Sequence, residues 1–139
     1  MRRELPGGFE LDDDAMRIDV DAVHAFLSQH AYWAKGRSRE RQEDLIAASQ
    51  RVVGLYHEGQ IGFSRTLSDG AIAYLADVYV LPAYRGRGLG VELVGESVER
   101  GPYAACKWLL HTDDAHSLYE QFGFGPPGPR LMERPARRR

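Results

Sequence analysis

The feature that most constrains this chain is a run of alternating glycines between a strand pattern and a helix pattern. The apolar run at residues 78–81 ends at Pro82, the glycine-rich residues 85–90 follow, and amphipathic spacing continues to about residue 100. Unpaired amides and the positive dipole end at a helix start bind anions, and glycine lets the backbone approach them closely. Arg85 and Arg87 add charge that can grip a phosphate. The segment therefore predicts a strand–turn–helix unit that binds a pyrophosphate.

Two well-known glycine loops do not fit this run. A P-loop needs a lysine followed by serine or threonine after its last glycine, whereas Gly90 is followed by Val91 and Glu92. A dinucleotide-binding fingerprint needs the spacing G-x-G-x-x-G and an acidic residue about 20 positions later. Here the spacing is G-x-G-x-G, and an apolar strand pattern at residues 108–110 occupies the later position. Neither kind of nucleotide site is therefore expected.

Periodicity along the rest of the chain predicts a single mixed domain. Asp19 or Asp21 can cap a first helix, and Ser38 can cap a second, more polar one. Three strand runs follow with tight turns between them, which is typical of antiparallel hairpins. The predicted order is helix 20–31, helix 39–49, strands 51–57, 60–67 and 71–81, helix 90–100, strand 106–111, helix 115–122 and a last strand 131–133. We expect an α/β fold with helices on both faces of the sheet.

Length and composition limit the class of protein. A chain of 139 residues has room for one domain, and 43% hydrophobic residues suffice for one core. The formal net charge of −2 argues against a nucleic-acid-binding protein, and residues 134–139 are expected to be a flexible basic tail. No apolar stretch could span a membrane, and the polar residues 1–14 do not resemble a signal peptide. The lone Cys106 fits the cytoplasm, and the excess of arginine over lysine indicates a GC-rich bacterial genome.

Two motifs together resemble those of the GNAT superfamily of N-acetyltransferases. Residues 85–90 match its R/Q-x-x-G-x-G/A loop, and the strand before them resembles the central strand of that family. Residues 115–124 match its closing helix pattern A-x-x-L-Y-x-x-x-G-F, in the family order and at a similar separation. The resemblance is good from residue 51 to residue 124 and loose over the first helices. It implies that residues 1–139 form one GNAT domain with a mixed central sheet flanked by helices.

The resemblance also implies acetyl-CoA as a co-substrate. The loop amides would hold its pyrophosphate, and the exposed backbone of the central strand would pair with its pantetheine arm. Many family members have asparagine seven residues before the helix tyrosine, whereas this chain has Thr112, whose hydroxyl can substitute. The implied contacts are Val78, Tyr79, Val80, Arg85, Gly86, Arg87, Gly88, Leu89, Gly90, Thr112 and Tyr119.

Three residues are candidates for the chemistry of acyl transfer. Tyr119, which the resemblance maps onto the family tyrosine, can protonate the departing thiolate, and its alternative role is core packing. Asp77 is a carboxylate in an apolar strand. It is either a general base for the acceptor ammonium or the partner of a buried backbone or arginine group. His116 lies one helical turn before Tyr119 and can relay a proton or make a structural hydrogen bond.

The positions of the cysteine and of four histidines argue against covalent or metal catalysis. Cys106 falls in a strand that is expected to be buried, with no base nearby, so it is not expected to carry the acetyl group. The histidines at positions 24, 30, 57 and 111 show no metal-ligand spacing. Direct transfer without a metal ion is therefore expected.

The acceptor site is expected in the irregular segment between the first two helices and near the strand hairpins. Tyr32 and Trp33 offer an aromatic wall for an amine-bearing substrate, and Arg37 adds one cation. Arg65 and Asp77 complete the expected acceptor contacts. Packing or a surface ion pair is an equally good explanation for each of these side chains.

The sequence therefore predicts an N-acetyltransferase that moves the acetyl group of acetyl-CoA directly to a primary amine of a small molecule or protein. An alternative from another class is a non-catalytic acyl-CoA-binding sensor or regulatory module with the same fold. An RNA-binding module is disfavoured because basic and aromatic residues are not interleaved. No nucleic-acid or membrane partner is expected, and a homodimer remains open.

Overall fold

The computed structural model describes residues 1–137, whose strands form one six-stranded sheet in the order of the chain. Arg138 and Arg139, the end of the predicted basic tail, lie outside the described residues. The elements are β1 (Arg2–Leu5), β2 (Phe9–Asp12), α1 (Val20–His30), α2 (Arg39–Ala47), β3 (Arg51–Tyr56), β4 (Gln60–Ser68), β5 (Ile72–Val80), α3 (Leu89–Glu99), β6 (Lys107–Leu109) and α4 (His116–Glu120), with 3₁₀ turns at Ala15–Arg17 and Pro82–Tyr84.

The first two helices begin where a short polar side chain caps them. The carboxylate of Asp19 accepts a hydrogen bond from the amide three residues later, at the start of α1, and the hydroxyl of Ser38 does the same for α2. These bonds satisfy amides that have no partner inside the helix. Both caps confirm the sequence prediction, with Asp19 rather than Asp21 at the first. The start of α3 has no capping side chain because Gly88 occupies it.

The sheet is antiparallel from β1 to β5, and β6 joins the edge of β5 in parallel after the α3 crossover. The parallel pairing covers only Ile72–Tyr74 opposite Lys107–Leu109. Beyond Tyr74 the two strands separate, so within residues 1–137 that edge of β5 has no strand partner from residue 75 to residue 80. The carboxyl-terminal half of β5 therefore has an open edge, at the end of the strands where open α/β sheets bind their ligands.

Helices cover both faces of this sheet, which confirms the predicted fold class. On one face α1 packs on β3, β4 and β5, and on the other face α3 packs on the same strands and on α4. Burying one large apolar side chain contributes roughly 1.5–3 kcal/mol to the free energy of folding. The side chains between the sheet and these two helical layers therefore supply most of the hydrophobic stabilisation of the fold. The fully buried side chains include Val23, Leu27 and Phe63 on the α1 face and Leu55, Leu93 and Val94 on the α3 face.

The hairpin of β1 and β2 was missed by the sequence prediction. Residues 1–14 are rich in charge, yet Leu5, Phe9 and Leu11 are buried in one cluster with residues of β3 and α3. Strands of four residues contain too few alternations for periodicity to reveal them.

An ion-pair cluster around the buried side chains of Arg51 and Glu96 fastens this hairpin to α3. It also includes Arg3, Asp13 and Glu92, which are partly exposed, and is called the Glu96 cluster below. Arg51 donates from Nε to Asp13, from Nη1 to the backbone carbonyl of Glu96 and from Nη2 to the carboxylate of Glu96. Arg3 donates from Nε to Glu96 and from both Nη atoms to Glu92. Every guanidinium nitrogen therefore has an acceptor, which is the condition under which buried charge is tolerated.

The C-terminal end differs from the prediction. Residues 131–133 do not form a strand, and Leu131 and Met132 are exposed, because the prolines and glycines of residues 123–129 keep the segment irregular. β6 is three residues long, and Cys106 precedes it and is partly exposed, so the expected burial of Cys106 in a strand is wrong. Across residues 1–137, none of the helices has the length and hydropathy to cross a bilayer.

Candidate active site

A β-bulge in β5 turns Asp77 toward the face that carries α1 and α2. The register with β4 shifts between Phe63 and Arg65, where β5 has one extra residue. Asp77 has a φ of +53°, a left-handed conformation that costs a non-glycine residue about 1–3 kcal/mol. In a regular strand Asp77 would share the face of Leu75, which packs with α3. The strained residue instead places its carboxylate beneath the loop that joins α1 to α2.

Three side chains donate hydrogen bonds to this carboxylate, and Gln42 bonds to one of them. The Asp77 cluster below means Asp77 with Trp33, Arg37, Gln42 and Arg65. Oδ1 of Asp77 accepts a hydrogen bond from Nε1 of Trp33 at 2.7 Å. Oδ2 accepts one from Nη1 of Arg37 at 2.8 Å and one from Nε of Arg65 at 2.6 Å. Nη1 of Arg37 also donates to Oε1 of Gln42 at 2.9 Å. The structure thus brings together three of the four predicted acceptor residues, Trp33, Arg65 and Asp77.

The surroundings of Asp77 disfavour the general-base hypothesis. Burial by itself would raise the pKa of Asp77, but the guanidinium groups of Arg65 and Arg37 outweigh it and hold that pKa below its ordinary value. Both carboxylate oxygens already accept hydrogen bonds. A carboxylate of lowered basicity whose oxygens are occupied is a poor acceptor for an ammonium proton. The geometry favours the other interpretation, in which Asp77 is the partner of buried arginines.

The loop between α1 and α2 carries the predicted aromatic wall. Tyr32 and Trp33 pack edge to face at 5.0 Å between ring centroids, and they remain 48% and 45% exposed. The hydroxyl of Tyr32 accepts a hydrogen bond from the amide of Asp113 at 2.9 Å. The loop therefore bridges the Asp77 cluster and the segment that leads into α4, with half of each ring open to a ligand.

The glycine run forms a cradle of free amides. Gly86 and Gly88 have φ values of +80° and +77°, and the first helical hydrogen bond of α3 runs from the amide of Glu92 to Gly88. None of the described residues accepts a hydrogen bond from the amides of residues 86–91. Successive free amides at the positive end of a helix dipole form a strong anion site. Arg85 and Arg87 are exposed beside it.

Tyr119 is about nine-tenths buried. Its ring packs with Val94 and lies edge-on to Phe124 at 5.9 Å. Within residues 1–137 the hydroxyl has no hydrogen-bond partner, and it is not sealed from solvent. Burial, with smaller contributions from Asp114 and Tyr32, raises the pKa of Tyr119 to about 12. The phenol therefore keeps its proton at neutral pH.

Tyr119, His116 and Thr112 line one groove of about 1500 Å³ between α4, β6 and residues 125–133. The hydroxyl of Thr112 accepts a hydrogen bond from the amide of Ala115 at the start of α4, and His116 is exposed. The Asp77 cluster does not line this groove. The predicted catalytic residues therefore fall into two places, with Tyr32 between them.

A hydrogen-bonded chain that the sequence prediction missed lies beside both places. The hydroxyl of Tyr74 bonds to Nδ1 of His111, and Nε2 of His111 bonds to the carboxylate of Glu133 at 2.7 Å. Strand alternation could have placed Tyr74 near Asp77 if the bulge had been foreseen. Nothing in the sequence indicates Glu133, because the irregular C-terminal segment brings it back to the end of β6.

Comparison with known proteins agrees with this geometry. A family model described as an acetyltransferase (GNAT) domain matches residues 45–126. A protein of Gibberella zeae described as a "putative acetyltransferase" is 28% identical over 84% of this chain and 79% of its own. A Xanthomonas campestris pv. campestris crystal structure, described as a "putative acetyltransferase" of the gnat family, is 34% identical, with 92% of this chain and 93% of its own covered and a TM-score of 0.85. The structure of AAC(6')-Iy with a CoA-containing bisubstrate analogue has the same fold, at 15% identity, 92% and 98% coverage and a TM-score of 0.65.

Fold and matches together define an acetyltransferase. The chain belongs to the GNAT superfamily, because the family model matches more than half of its residues and the Xanthomonas structure shares a third of its sequence along nearly the whole chain. Enzymes of this superfamily use acetyl-CoA.

Proposed function

We propose that this protein transfers the acetyl group of acetyl-CoA directly to a primary amine on a small molecule or a protein. The observation that carries the proposal is the run of free amides at residues 86–91 beside the unpaired edge of β5. An anion cradle next to an open strand edge suits one elongated ligand that carries both a pyrophosphate and amide groups. Acetyl-CoA has this chemistry.

The described residues fit this ligand in three places. The amides of residues 86–91 hold the pyrophosphate, and Arg85 and Arg87 contribute charge. The backbone of residues 78–80 at the open edge of β5 pairs with the amides of the pantetheine arm, although the carbonyl of Val80 already accepts a hydrogen bond from Nε of Arg85 at 3.1 Å. Thr112 can donate its hydroxyl proton to the same arm, since a hydroxyl that accepts one hydrogen bond can still donate another.

Tyr119 is the proposed proton donor to the thiolate that leaves. An ordinary thiol has a pKa of about 8.5, well below that of this tyrosine. The burial that raises the tyrosine pKa would also raise the pKa of a thiol in the same cleft, which narrows the difference. The hydroxyl stabilises the developing negative charge by a hydrogen bond as the carbon–sulfur bond breaks.

The acceptor ammonium must lose a proton before its nitrogen attacks, and Asp77 is unsuited to take it. We assign His116 a relay role because it is exposed in the groove that Tyr119 lines, one helical turn away. In this role it passes protons between the groove and bulk solvent through water.

Gly88→Ala tests the cradle, with Gly70→Ala as its matched control. Both glycines have positive φ and nothing within 4 Å of an added Cβ, so both substitutions introduce similar backbone strain. Gly70 precedes β5 and Gly88 follows it, at opposite ends of the strand. We expect Gly88→Ala to weaken acetyl-CoA binding about tenfold or more in calorimetry, and Gly70→Ala to leave it unchanged. Equal affinities in the two folded variants would contradict the proposed binding mode.

Tyr119→Phe tests the transfer step. The change keeps the ring and removes the proton donor, so kcat should fall by about 10²–10⁴-fold while acetyl-CoA affinity is unchanged. Thiol release with an accepted amine measures the rate. Full turnover in the variant would show that the hydroxyl of Tyr119 is not the proton donor and that the residue serves in core packing. Tight acetyl-CoA binding without turnover of any amine by the wild type would favour a sensor over an enzyme.

A further inference from the structure

The Asp77 cluster carries a positive charge that its own members do not balance. Two guanidinium groups face one carboxylate, and the side chains of Arg37 and Arg65 are only 14% and 9% exposed. Among nearby carboxylates, Glu133 is two-thirds exposed and is bonded to His111. Holding an unbalanced cation out of water is unfavourable unless a further anion completes the cluster.

Most donors of the two arginines are also unused. Arg65 donates only from Nε, and none of residues 1–137 accepts a hydrogen bond from its Nη1 or Nη2. Arg37 donates only from Nη1, which leaves its Nε and Nη2 free in the same part of the chain. None of these four nitrogens is completely buried, since Nε2 of Gln42 is the one fully buried side-chain polar atom without a partner in the described residues.

The free donors border the aromatic wall. Trp33 bonds to the same carboxylate as both arginines, so its half-exposed ring lies beside their open edges. Tyr32 continues the wall to Asp113 and toward Tyr119. The exposed carboxylates of Asp113 and Asp114 lie at that far end, where they suit an ammonium group.

We propose that Arg65 and Arg37 bind an anionic group, a carboxylate or a phosphate, on the amine-bearing acceptor. The inference rests on the proposed function, because it names the acceptor class for the same transfer. A guanidinium edge with two free N–H groups matches either anion in bidentate geometry. The acceptor is thus zwitterionic, with its anion at Arg65, its apolar body on Tyr32 and Trp33, and its amine toward Tyr119.

Matched acceptor pairs test this with the wild-type protein. L-phenylalanine is compared with L-phenylalaninamide, and 2-aminoethyl phosphate with ethanolamine, each with acetyl-CoA. We expect kcat/KM for the charged member of one pair to exceed that of its neutral partner by about 10- to 100-fold, mainly through KM. If the phenylalanine pair shows this difference in kcat/KM, the bound anion is a carboxylate. If the ethanolamine pair shows it, the bound anion is a phosphate. Transfer to the neutral members at equal or higher efficiency in both pairs would overturn the inference and leave the proposed function standing.

A binding measurement separates the inference from catalysis. The chain has two tryptophans, and only the indole N–H of Trp33 bonds within the cluster, whereas that of Trp108 donates to the carbonyl of Tyr103. In ¹⁵N NMR with CoA present, phenylacetate or inorganic phosphate should shift the Trp33 indole signal and leave that of Trp108 in place. Arg65→Gln should abolish the change in the Trp33 indole signal. Arg65→Lys keeps the positive charge but lacks the paired N–H donors of a guanidinium, so it should weaken anion binding about tenfold.

The outcomes are distinct. Anion binding that is unchanged in folded Arg65→Lys or Arg65→Gln, or is absent from the wild type, would overturn the inference. Anion binding that depends on Arg65, together with no acetyl transfer to any tested amine, would support the inference and contradict the proposed function.

Discussion

Two ion-pair clusters, each built around buried charged residues, lie on opposite faces of one sheet, and they differ in how many of their arginine nitrogens have hydrogen-bond acceptors. In the Glu96 cluster, all three nitrogens of Arg3 and all three of Arg51 have acceptors. In the Asp77 cluster, Arg65 uses one nitrogen of three and Arg37 uses one of three. We interpret the Glu96 cluster, whose arginine nitrogens all have acceptors, as a support of the fold, and the unused donors of the Asp77 cluster as the basis of the proposed anion site.

The backbone shows the same contrast. Glu96 lies within the regular helix α3, while Asp77 adopts φ +53° in a bulge. Local strain persists only where surrounding contacts enforce it, and it gathers at functional sites. Strain and unused donors therefore coincide at Asp77 and are both absent at Glu96 within the described chain.

Arg51→Met should give the largest loss of stability. It leaves the buried carboxylate of Glu96 without one of its two partners, and breaking a buried ion pair typically costs about 3–5 kcal/mol. Urea unfolding measures the change. Arg39→Met, at an arginine whose side chain is about half exposed, is the control and should leave the midpoint unchanged. A folded Arg51→Met variant as stable as the wild type would show that the Glu96 cluster does not stabilise the fold.

Asp77→Asn should cost less, about 1–3 kcal/mol near neutral pH, because asparagine tolerates the left-handed backbone and keeps a hydrogen-bond acceptor. The folded-state pKa of Asp77 is lowered, so its charge stabilises the fold above the ordinary value of 3.8. That stabilisation is lost as the pH falls through the folded pKa. The unfolding free energies of wild type and variant should therefore converge as the pH is lowered through and below the folded-state pKa of Asp77. If the unfolding free energies of wild type and variant differ by the same amount at all pH values, the charge of Asp77 is not the source of that difference.

Removal of residues 135–139 should have the smallest effect. Arg137 is exposed and forms no ion pair within the described residues, in contrast to the arginines of both clusters. The deletion should change the melting temperature by about 1 °C or less and leave acetyl-CoA affinity unchanged. A melting temperature several degrees lower would mean that this basic segment packs on the domain.

Long periodic segments made much of this fold predictable from the sequence. The caps of α1 and α2 and the strands β3, β4 and β5 follow local rules that act within a few residues. The hairpin of β1 and β2 was not predictable, because its strands are held by apolar contacts and ion pairs to distant residues. The expected last strand failed because proline and glycine outweigh a short apolar run.

The candidate site was predictable as a set of residues but not as an arrangement. The sequence identified each of Trp33, Arg65 and Asp77 as a candidate. Their side chains meet only because β5 contains one extra residue, which strand propensity does not reveal. The bulge decides whether Asp77 faces α3 or the α1–α2 loop. A sequence pattern alone therefore could not choose between a general base and an arginine partner.

The order of the sheet bears on how the chain folds as it is synthesised. Each strand pairs with its neighbour in the chain, and short turns close the β1–β2, β3–β4 and β4–β5 hairpins, whereas β2 meets β3 only across the segment that contains α1 and α2. The ion pair that secures the first strand joins Arg3 to Glu96, which lies 93 residues later. The β1–β2 hairpin can therefore form early, but its ion pair with α3 forms only after α3 has been synthesised.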